Sequence, residues 1–163
     1  MMMFNLVDRT PWVVLLQDRF GFPDAVFAPY TFIQPNAKYI AIVPNDFDPP
    51  ARPPAVQLGM PLIKLKMRYP KLSTQGVMLL GAHATRNVVD LDAACADAYR
   101  TRQPLYLDAD VLARCTGQGY VIVRTGGRPL GMAVFLPDDL GEGGELRSMF
   151  PRHWAGLHHD ASK

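Results

Sequence analysis

A pair of glycines between two apolar segments constrains the fold of this chain more than any other feature of its sequence. Residues 120–124 (YVIVR) and 129–136 (PLGMAVFL) are rich in aliphatic side chains, and Gly126-Gly127 lies between them. Glycine readily adopts the positive φ angles of a tight hairpin turn, and β-branched residues favour strands. The sequence therefore predicts a β-hairpin at this place, and with it a fold that contains antiparallel sheet.

Further helices and strands are predicted along the rest of the chain. Capping residues followed by apolar residues at helical spacing mark three helices, which are expected over residues 10–20, over 75–80 after Ser73 or Thr74, and after Asp90 or Asp92. Short apolar or alternating runs mark four more strands, which are expected over residues 25–34, 38–44, 61–69 and 145–150. This order suits a small mixed α+β fold or a partly open barrel.

The composition is that of a folded protein. The chain has 163 residues, of which 48% are hydrophobic and 20% charged, which is sufficient for a buried core and excludes a mainly disordered chain. It contains no run of 18 apolar residues and no N-terminal signal pattern, so we expect a cytoplasmic protein without a membrane partner. The two isolated cysteines, Cys95 and Cys115, predict reduced thiols rather than a disulfide scaffold.

The sequence lacks the usual signatures of catalysis. It has no G-x-S-x-G element, no glycine-rich phosphate loop that opens a helix, and only two glutamates, both near a glycine-rich turn. Three of the four histidines, His153, His158 and His159, lie close together near the C-terminus, where a solvated tail is a simpler interpretation than a metal site. We therefore expect no enzyme activity, no cofactor and no metal.

Positive charge is concentrated in two blocks of the sequence. The net charge is only +2, yet residues 49–89 contain six basic side chains and residues 111–137 contain three, and neither block contains a carboxylate. Blocks of this kind are typical of surfaces that bind polyanions. Their basic residues are Arg52, Lys64, Lys66, Arg68, Lys71, Arg86, Arg114, Arg124 and Arg128.

The most regular of these patterns lies in residues 61–69 (PLIKLKMRY). Apolar and basic residues alternate there with the period of a strand, so Lys64, Lys66 and Arg68 are expected on one face, about 6.6 Å apart. Such a ladder has a repeat similar to the phosphate spacing of one nucleic-acid strand. A charged edge strand that discourages aggregation is the alternative interpretation.

Four segments, taken in order, resemble one known family. They are LGMPLIKLKMRYPKLSTQGVMLLG, NVVDLDAACADAYR, GYVIVRTGGRPLGMAV and GELRSMFPRHW. They resemble motifs in the C-terminal RNA-binding region of the Nol/Nop/Sun (Fmu) family of rRNA 5-methylcytosine methyltransferases. In order, these motifs are the lysine- and arginine-containing Leu-Gly-x-x-Lys-Lys-x-Arg-Phe-x-Pro, then Val-Val-Asp-Leu, Gly-Tyr-Val-Leu-Val and Gly-x-Leu-Lys-Asn-x-Tyr-Pro. The resemblance covers residues 56–154, about two thirds of the chain.

The resemblance implies both a fold and a function. In that family the region is a PUA-like domain, a small pseudo-barrel that binds structured RNA and follows a separate catalytic domain. For residues 56–155 the resemblance implies a PUA-like mixed β pseudo-barrel. The stretch 45–54 (NDFDPPARPP), which contains four prolines, predicts a boundary before it, so we expect a small N-terminal α/β subdomain (residues 1–55) packed on the pseudo-barrel and a flexible tail (156–163). Because this sequence lacks the family's adenosylmethionine-binding, Pro-Cys and Thr-Cys motifs, the resemblance implies a stand-alone ribosome-biogenesis-type protein without the catalytic domain.

The resemblance and the charge blocks together define the predicted RNA-binding residues. The expected partner is rRNA or tRNA, bound during ribosome biogenesis or RNA modification. Tyr69 and Trp154 are candidates for stacking on unpaired bases, and packing in the core is the competing interpretation of both. The basic residues expected to contact phosphates are Lys64, Lys66, Arg68, Lys71, Arg86, Arg124, Arg128, Arg147 and Arg152.

Two alternative functions stay open. One is a non-catalytic subunit that acts in trans with an RNA methyltransferase or docks on a ribosomal protein. It requires an exposed apolar patch, expected around Phe22, Val26, Phe27 and Tyr30. The other is a small-molecule enzyme, which requires a pocket that gathers His83, Arg86 and Asp90.

Overall fold

Two five-stranded sheets and short α-helices form a mixed α+β fold in the computed structural model, which describes residues 5–48, 58–68 and 71–155. This confirms the α+β class predicted from the sequence. The helices are α1 (Thr10–Phe20), α2 (Thr74–Leu80) and α3 (Ala93–Arg100), with 3-10 turns at Asp24–Phe27 and Gly81–His83. Within the described ranges, every helix falls short of the length and apolar character needed to cross a bilayer.

The first sheet is an antiparallel meander. Its strands are β1 (Asn5–Leu6), β2 (Tyr30–Asn36), β3 (Tyr39–Pro44), β4 (Met60–Lys64) and β5 (Lys71–Leu72), which pair in this order. The predicted boundary after residue 55 falls between β3 and β4, which pair directly, with Ile40 opposite Ile63. The sheet that begins in the N-terminal segment therefore extends to Leu72. The predicted tail, residues 156–163, lies outside the described residues.

The second sheet contains the predicted hairpin. Its strands are β6 (Val88–Leu91), β7 (Leu105–Asp108), β8 (Gly119–Thr125), β9 (Arg128–Pro137) and β10 (Gly143–Ser148), in the order β6-β8-β9-β10-β7. Gly126 and Gly127 join β8 to β9 with φ angles of 55° and 76°, which confirms the hairpin. β6 is parallel to β8, because the chain between them passes through α3 and β7 and is long enough for a crossover.

The predicted helix bounds are confirmed to within two residues, and so are the caps at Ser73 and Asp92, but the side-chain cap expected at the start of α1 is not found, because Arg9 occupies that N-cap position without one. α1 covers residues 10–20 as expected, and it ends at Gly21, whose φ is 65°. The Gly76 amide donates a hydrogen bond to Ser73 Oγ at 2.9 Å, and the Cys95 amide donates one to Asp92 Oδ1 at 2.8 Å. Each bond satisfies an amide of a first helical turn, which no carbonyl of the helix can reach.

Three strands have bounds that differ from the predicted ones. The strand expected over residues 25–34 begins at Tyr30, because a 3-10 turn follows Pro23 and occupies the first part of that range. The strand expected over 145–150 lies two residues earlier. The strand expected over 61–69 is much shorter and ends at Lys64. β7 has no counterpart among the predictions, since it is a four-residue edge strand with a weak apolar pattern.

Apolar residues of both sheets meet in a shared core. Ile122 on β8 belongs to the same buried cluster as Phe20 of α1 and Ile40 of β3, and α2 contributes to this cluster as well. The neighbouring Val121 belongs to a second cluster, which covers the other face of the sheet and contains Tyr99 of α3. The alternation expected of a strand therefore buries β8 on both faces. The shared cluster joins the two sheets through α1 and α2.

Candidate nucleic-acid interface

Four of the predicted RNA-binding residues lie in one hairpin. β4 and β5 pair in antiparallel register with Lys64 opposite Lys71, and Lys66 and Arg68 lie in the segment that connects these strands. We call these four side chains the basic hairpin. Lys66 and Arg68 are exposed, whereas Lys64 and Lys71 are half-buried. The fold thus gathers four cations from eight consecutive positions onto one local surface.

The predicted ladder along one extended strand is wrong. β4 ends at Lys64 because the residue opposite it, Tyr39, is the first residue of the partner strand β3. One more hydrogen bond follows, donated by the Leu65 amide to the Lys38 carbonyl oxygen at 2.9 Å. The next residue, Lys66, has a φ of 61° and turns the chain out of the extended conformation. The cations therefore surround a turn instead of lining one face of a strand.

Lys64 and Lys71 form a pair of like charges on neighbouring strands. Burial lowers the pKa of Lys71, and the positive charge of Lys64 lowers this pKa further. The Lys71 ammonium also lies 5.3 Å from the centroid of the Tyr120 ring, a cation–π contact that offsets part of the cost of burial. Among the described residues, no carboxylate lies within ion-pair distance of Lys64, Lys66 or Lys71. A bound anion would relieve this repulsion.

Replacing Lys64 with methionine is expected to raise the pKa of Lys71, because the change removes the neighbouring positive charge. Burial persists in this variant, so the pKa should stay below that of an ordinary lysine. A pH titration of the lysine side-chain NMR signals measures the shift. Lys66→Met is the matched control, since it removes an equal charge from the exposed part of the same hairpin. Equal shifts in both variants would contradict the pairing of Lys64 with Lys71.

Two adjoining cavities lie beside the lysine pair. The first has a volume of about 320 Å³ and is lined by Lys64 and Lys71, by His153, and by Gly131 on β9. The second has a volume of about 560 Å³ and is mainly apolar. No carboxylate is found among the described residues that line either cavity. The residues that line both cavities are Thr74, Pro151 and His153.

Arg124 has a structural role, and the prediction that it contacts RNA is corrected here. It is only 8% exposed, and its Nε and Nη2 donate hydrogen bonds to the two carboxylate oxygens of Asp90, each at 2.9 Å. Its Nη1 donates to the carbonyl oxygens of Ala82 and Ala84 at 3.0 and 3.2 Å. Hydrogen bonding by Arg124 also lowers the pKa of Asp90. The guanidinium is therefore enclosed by protein groups that hold it away from a phosphate.

Two more predicted residues are engaged with protein groups. Arg86 donates a hydrogen bond through Nη1 to the carbonyl oxygen of Asp18 near the end of α1, at 3.1 Å. Arg147 pairs with Glu145 on the same strand, with 3.0 Å between Nε and Oε1. This pairing balances the charge of Arg147 locally. We leave both arginines outside the candidate interface.

The last two predicted residues lie at different distances from the basic hairpin. Arg128 is exposed at the turn between β8 and β9. It precedes Gly131 of the first cavity by three residues of strand, which is roughly 10 Å. Arg152 is exposed in a helical turn at 152–155 and adjoins His153, which lines both cavities. Arg152 therefore extends the candidate interface, whereas Arg128 lies farther along β9.

Two basic residues beside the hairpin were outside the predicted set. Lys38 is exposed in the turn between β2 and β3, and its carbonyl oxygen accepts the hydrogen bond from Leu65 that follows β4. His153 lines both cavities. The pairing of β3 with β4 places Lys38 beside the hairpin, and no local sequence pattern indicated this pairing. His158 and His159 lie outside the described residues, and among the described ones no three potential ligands are arranged to hold a metal.

The surface required by the interaction-subunit alternative is buried at its centre. Phe22 and Phe27 are 3% and 1% exposed and belong to the shared core, where their rings are 5.9 Å apart. Val26 and Tyr30 are partly buried against the same core. The expectation of an exposed patch at these four positions is therefore wrong. Phe22 and Phe27 come shortly after α1 in the chain, and they pack with Phe20 of that helix in the same buried cluster.

The residues that the enzyme alternative requires are directed to other partners. Asp90 is bound by Arg124, and Arg86 donates to a carbonyl of α1. His83 is exposed, and neither of the two cavities is lined by any of these three required residues. Burial raises the pKa of Cys115 to about 11, so that this thiol stays protonated at neutral pH.

No protein-family model matches the sequence, and a search of curated proteins finds no matching sequence.

Proposed function

We propose that this protein binds RNA through the basic hairpin and acts on rRNA or tRNA during their maturation. The observation that carries the proposal is the clustering of four cations in residues 64–71, with no carboxylate in ion-pair distance of the three lysines among the described residues. A nucleic-acid backbone carries one negative charge per nucleotide, so it is complementary to such a cluster.

The proposal includes a PUA-like identity for the strand-rich part of the chain. The β8–β9 hairpin and β10, preceded by β6 and α3, follow the order of the motifs that resemble the Nol/Nop/Sun region. An antiparallel β8-β9-β10 arrangement is compatible with a small barrel-like fold. On this basis we propose an RNA-binding protein without methyl-transfer activity of its own.

Combining Lys64→Glu with Lys66→Glu is expected to weaken binding to rRNA fragments about 10- to 30-fold at low salt, because two phosphate contacts are lost and replaced by repulsion. The slope of log affinity against log salt concentration should become shallower by roughly 1.4 to 1.8, the value for two fewer phosphate contacts. Fluorescence anisotropy with labelled RNA at several salt concentrations measures both effects.

The matched control combines Arg100→Glu with Arg147→Glu. This variant has the same change in net charge, and both arginines are paired with carboxylates outside the basic hairpin sequence, Arg100 of α3 with Asp97 and Arg147 of β10 with Glu145. Its RNA affinity should fall much less. Equal losses in both double variants, or unchanged affinity in the hairpin variant, would contradict the proposed interface. Circular dichroism confirms that each variant is folded.

A further inference from the structure

We propose that the two adjoining cavities bind one unpaired nucleotide of the RNA, with its phosphate at Lys64 and Lys71 and its base beside Trp154. This inference rests on the proposed RNA-binding function and names the part of the RNA that the site recognises.

The phosphate would occupy the smaller cavity. Lys64 and Lys71 line this cavity with His153 and Thr74, and the two lysines are like charges that burial and mutual repulsion disfavour. A phosphate between them is stabilised by both charges and removes their repulsion. The hydroxyl of Thr74 and the imidazole of His153 add groups that form hydrogen bonds with phosphate oxygens. The chemistry of the lining therefore suits one phosphodiester group, which carries a single negative charge.

The base would occupy the larger cavity. Met78, Leu79 and Trp154 line it and keep 40%, 39% and 37% of their surface exposed. Large apolar side chains gathered around one concave surface are typical of ligand-binding sites. The volume of about 560 Å³ lies within the range of small-molecule sites. Gln75 also lines the cavity and brings an amide, which donates to and accepts from the polar edge of a base.

Trp154 is held in place by aromatic neighbours. Its ring centroid lies 5.8 Å from that of Phe150 and 5.7 Å from that of His153, in edge-to-face arrangements. Phe150 is itself buried and packs against Tyr99 of α3. The indole is therefore positioned before a ligand arrives, which reduces the entropy lost on binding. A fixed and partly exposed indole is well suited to stacking on a nucleobase.

The two cavities belong to one site because they share lining residues. Thr74, Pro151 and His153 border both cavities. Lys64 and Lys71 belong to the basic hairpin and also line the smaller cavity. A backbone that crosses the basic hairpin would thus bring a phosphate to the smaller cavity and its attached base to the larger one. The base of a paired nucleotide is stacked within a helix, so only an unpaired nucleotide can enter.

The experiment uses Trp154 as the reporter. The chain has two tryptophans, so the full-length Trp12→Phe variant leaves Trp154 as the single one. Three RNA probes are titrated into it: a blunt duplex, the same duplex with a short single-stranded tail, and the tailed duplex with abasic nucleotides in the tail. We expect the tailed duplex to bind about tenfold more tightly than the blunt one and to quench Trp154, in line with the stacking of one base. The abasic probe keeps its phosphates but should not quench Trp154, and it should lose most of the gain in affinity that the tail provides.

Three further variants test the role of the indole. Trp154→Ala should abolish the approximately tenfold preference for the tail, and Trp154→Tyr should retain most of it. Tyr106→Ala is the control, because Tyr106 is an exposed aromatic residue on β7 that lines neither cavity. If Trp154→Ala does not fold, the quenching measured in the Trp12→Phe variant decides the question.

The outcomes separate the two proposals. Equal affinity for blunt and tailed duplexes, without quenching, would overturn the nucleotide site and leave the RNA-binding proposal intact. Absence of binding to every probe at low salt would overturn both. A phosphopeptide is titrated as a fourth probe, and if it quenches Trp154 whereas the tailed RNA does not, the assignment of the cavity to a nucleotide is overturned.

Discussion

Replacing Arg124 with methionine is expected to lower the free energy of unfolding by about 3 kcal/mol. The change removes two hydrogen bonds to Asp90 and deprives the carbonyl oxygens of Ala82 and Ala84 of their charged donor. For a chain of this length the loss corresponds to a decrease in Tm of roughly 6 to 12 °C. Urea unfolding at neutral pH and thermal unfolding followed by circular dichroism measure the effect.

Arg114→Met provides a matched control for this prediction. Arg114 also donates a hydrogen bond to Asp90, yet 47% of its side chain is exposed, compared with 9% for the side chain of Arg124. Exposed ion pairs contribute little, so we expect a loss of less than about 1 kcal/mol. A loss as large as that of Arg124→Met would contradict the claim that burial makes Arg124 important.

The contribution of this ion pair should also depend on pH. The hydrogen bond from Arg124 lowers the pKa of Asp90 below its ordinary value of 3.8. A lowered carboxylate pKa stabilises the folded state above the unfolded pKa, and this stabilisation is lost as the pH falls through the folded pKa. The difference in unfolding free energy between the wild type and Arg124→Met should therefore be constant from neutral pH to about pH 5 and decrease below about pH 4.

Local patterns in the sequence predicted the elements that depend on local interactions. The Gly126-Gly127 turn, the end of α1 at Gly21 and the caps at Ser73 and Asp92 each involve residues only a few positions apart. The free energy that favours each of them comes from φ preferences and from hydrogen bonds to nearby amides. Such terms can be inferred before the tertiary structure is known.

Features that depend on pairing between distant strands were beyond these patterns. The alternation of residues 61–69 continues past Lys64, but β3 provides no partner beyond Tyr39, so β4 stops there. Likewise, Arg124 stands opposite Asp90 only because β6 and β8 are parallel and in that register. Its charge suggested a surface residue, whereas its place at the end of a buried apolar strand was the relevant signal. A charge pattern alone does not distinguish these two cases.

The sequence predicted part of the candidate site, but the residues are brought together by a turn and not by the predicted extended strand. The carboxylate-free block placed Lys64, Lys66, Arg68 and Lys71 close together because they are close in sequence. A strand ladder would have separated them along one face, and the turn at Lys66 instead gathers them. Tyr69, the other candidate for base stacking, lies outside the described residues. The cavities depend on the return of the chain near His153, which no local pattern reveals.

Replacing Gly21 with alanine is expected to cost about 3 kcal/mol, of which 1 to 2 kcal/mol comes from the left-handed backbone and the rest from a steric overlap. The φ of Gly21 is 65°, and an added Cβ would overlap Thr85 Oγ1. Thr85 Oγ1 donates a hydrogen bond to the Gly21 carbonyl oxygen at 2.8 Å, and the amides of Thr85 and Arg86 donate to the Phe20 carbonyl oxygen. The end of α1 is therefore attached to the segment before β6, and urea unfolding should report the loss.

Gly126→Ala separates the two causes of this destabilisation. Gly126 has a φ of 55°, similar to that of Gly21, but nothing lies within 4 Å of an added Cβ. Its replacement should therefore cost only the backbone part, about 1 to 2 kcal/mol. If the overlap with Thr85 accounts for the remainder, Gly21→Ala in a Thr85→Ala background should cost little more than Gly126→Ala does. If Gly21→Ala costs as much in that background as in the wild type, the overlap with the Thr85 side chain is not the cause of the additional cost.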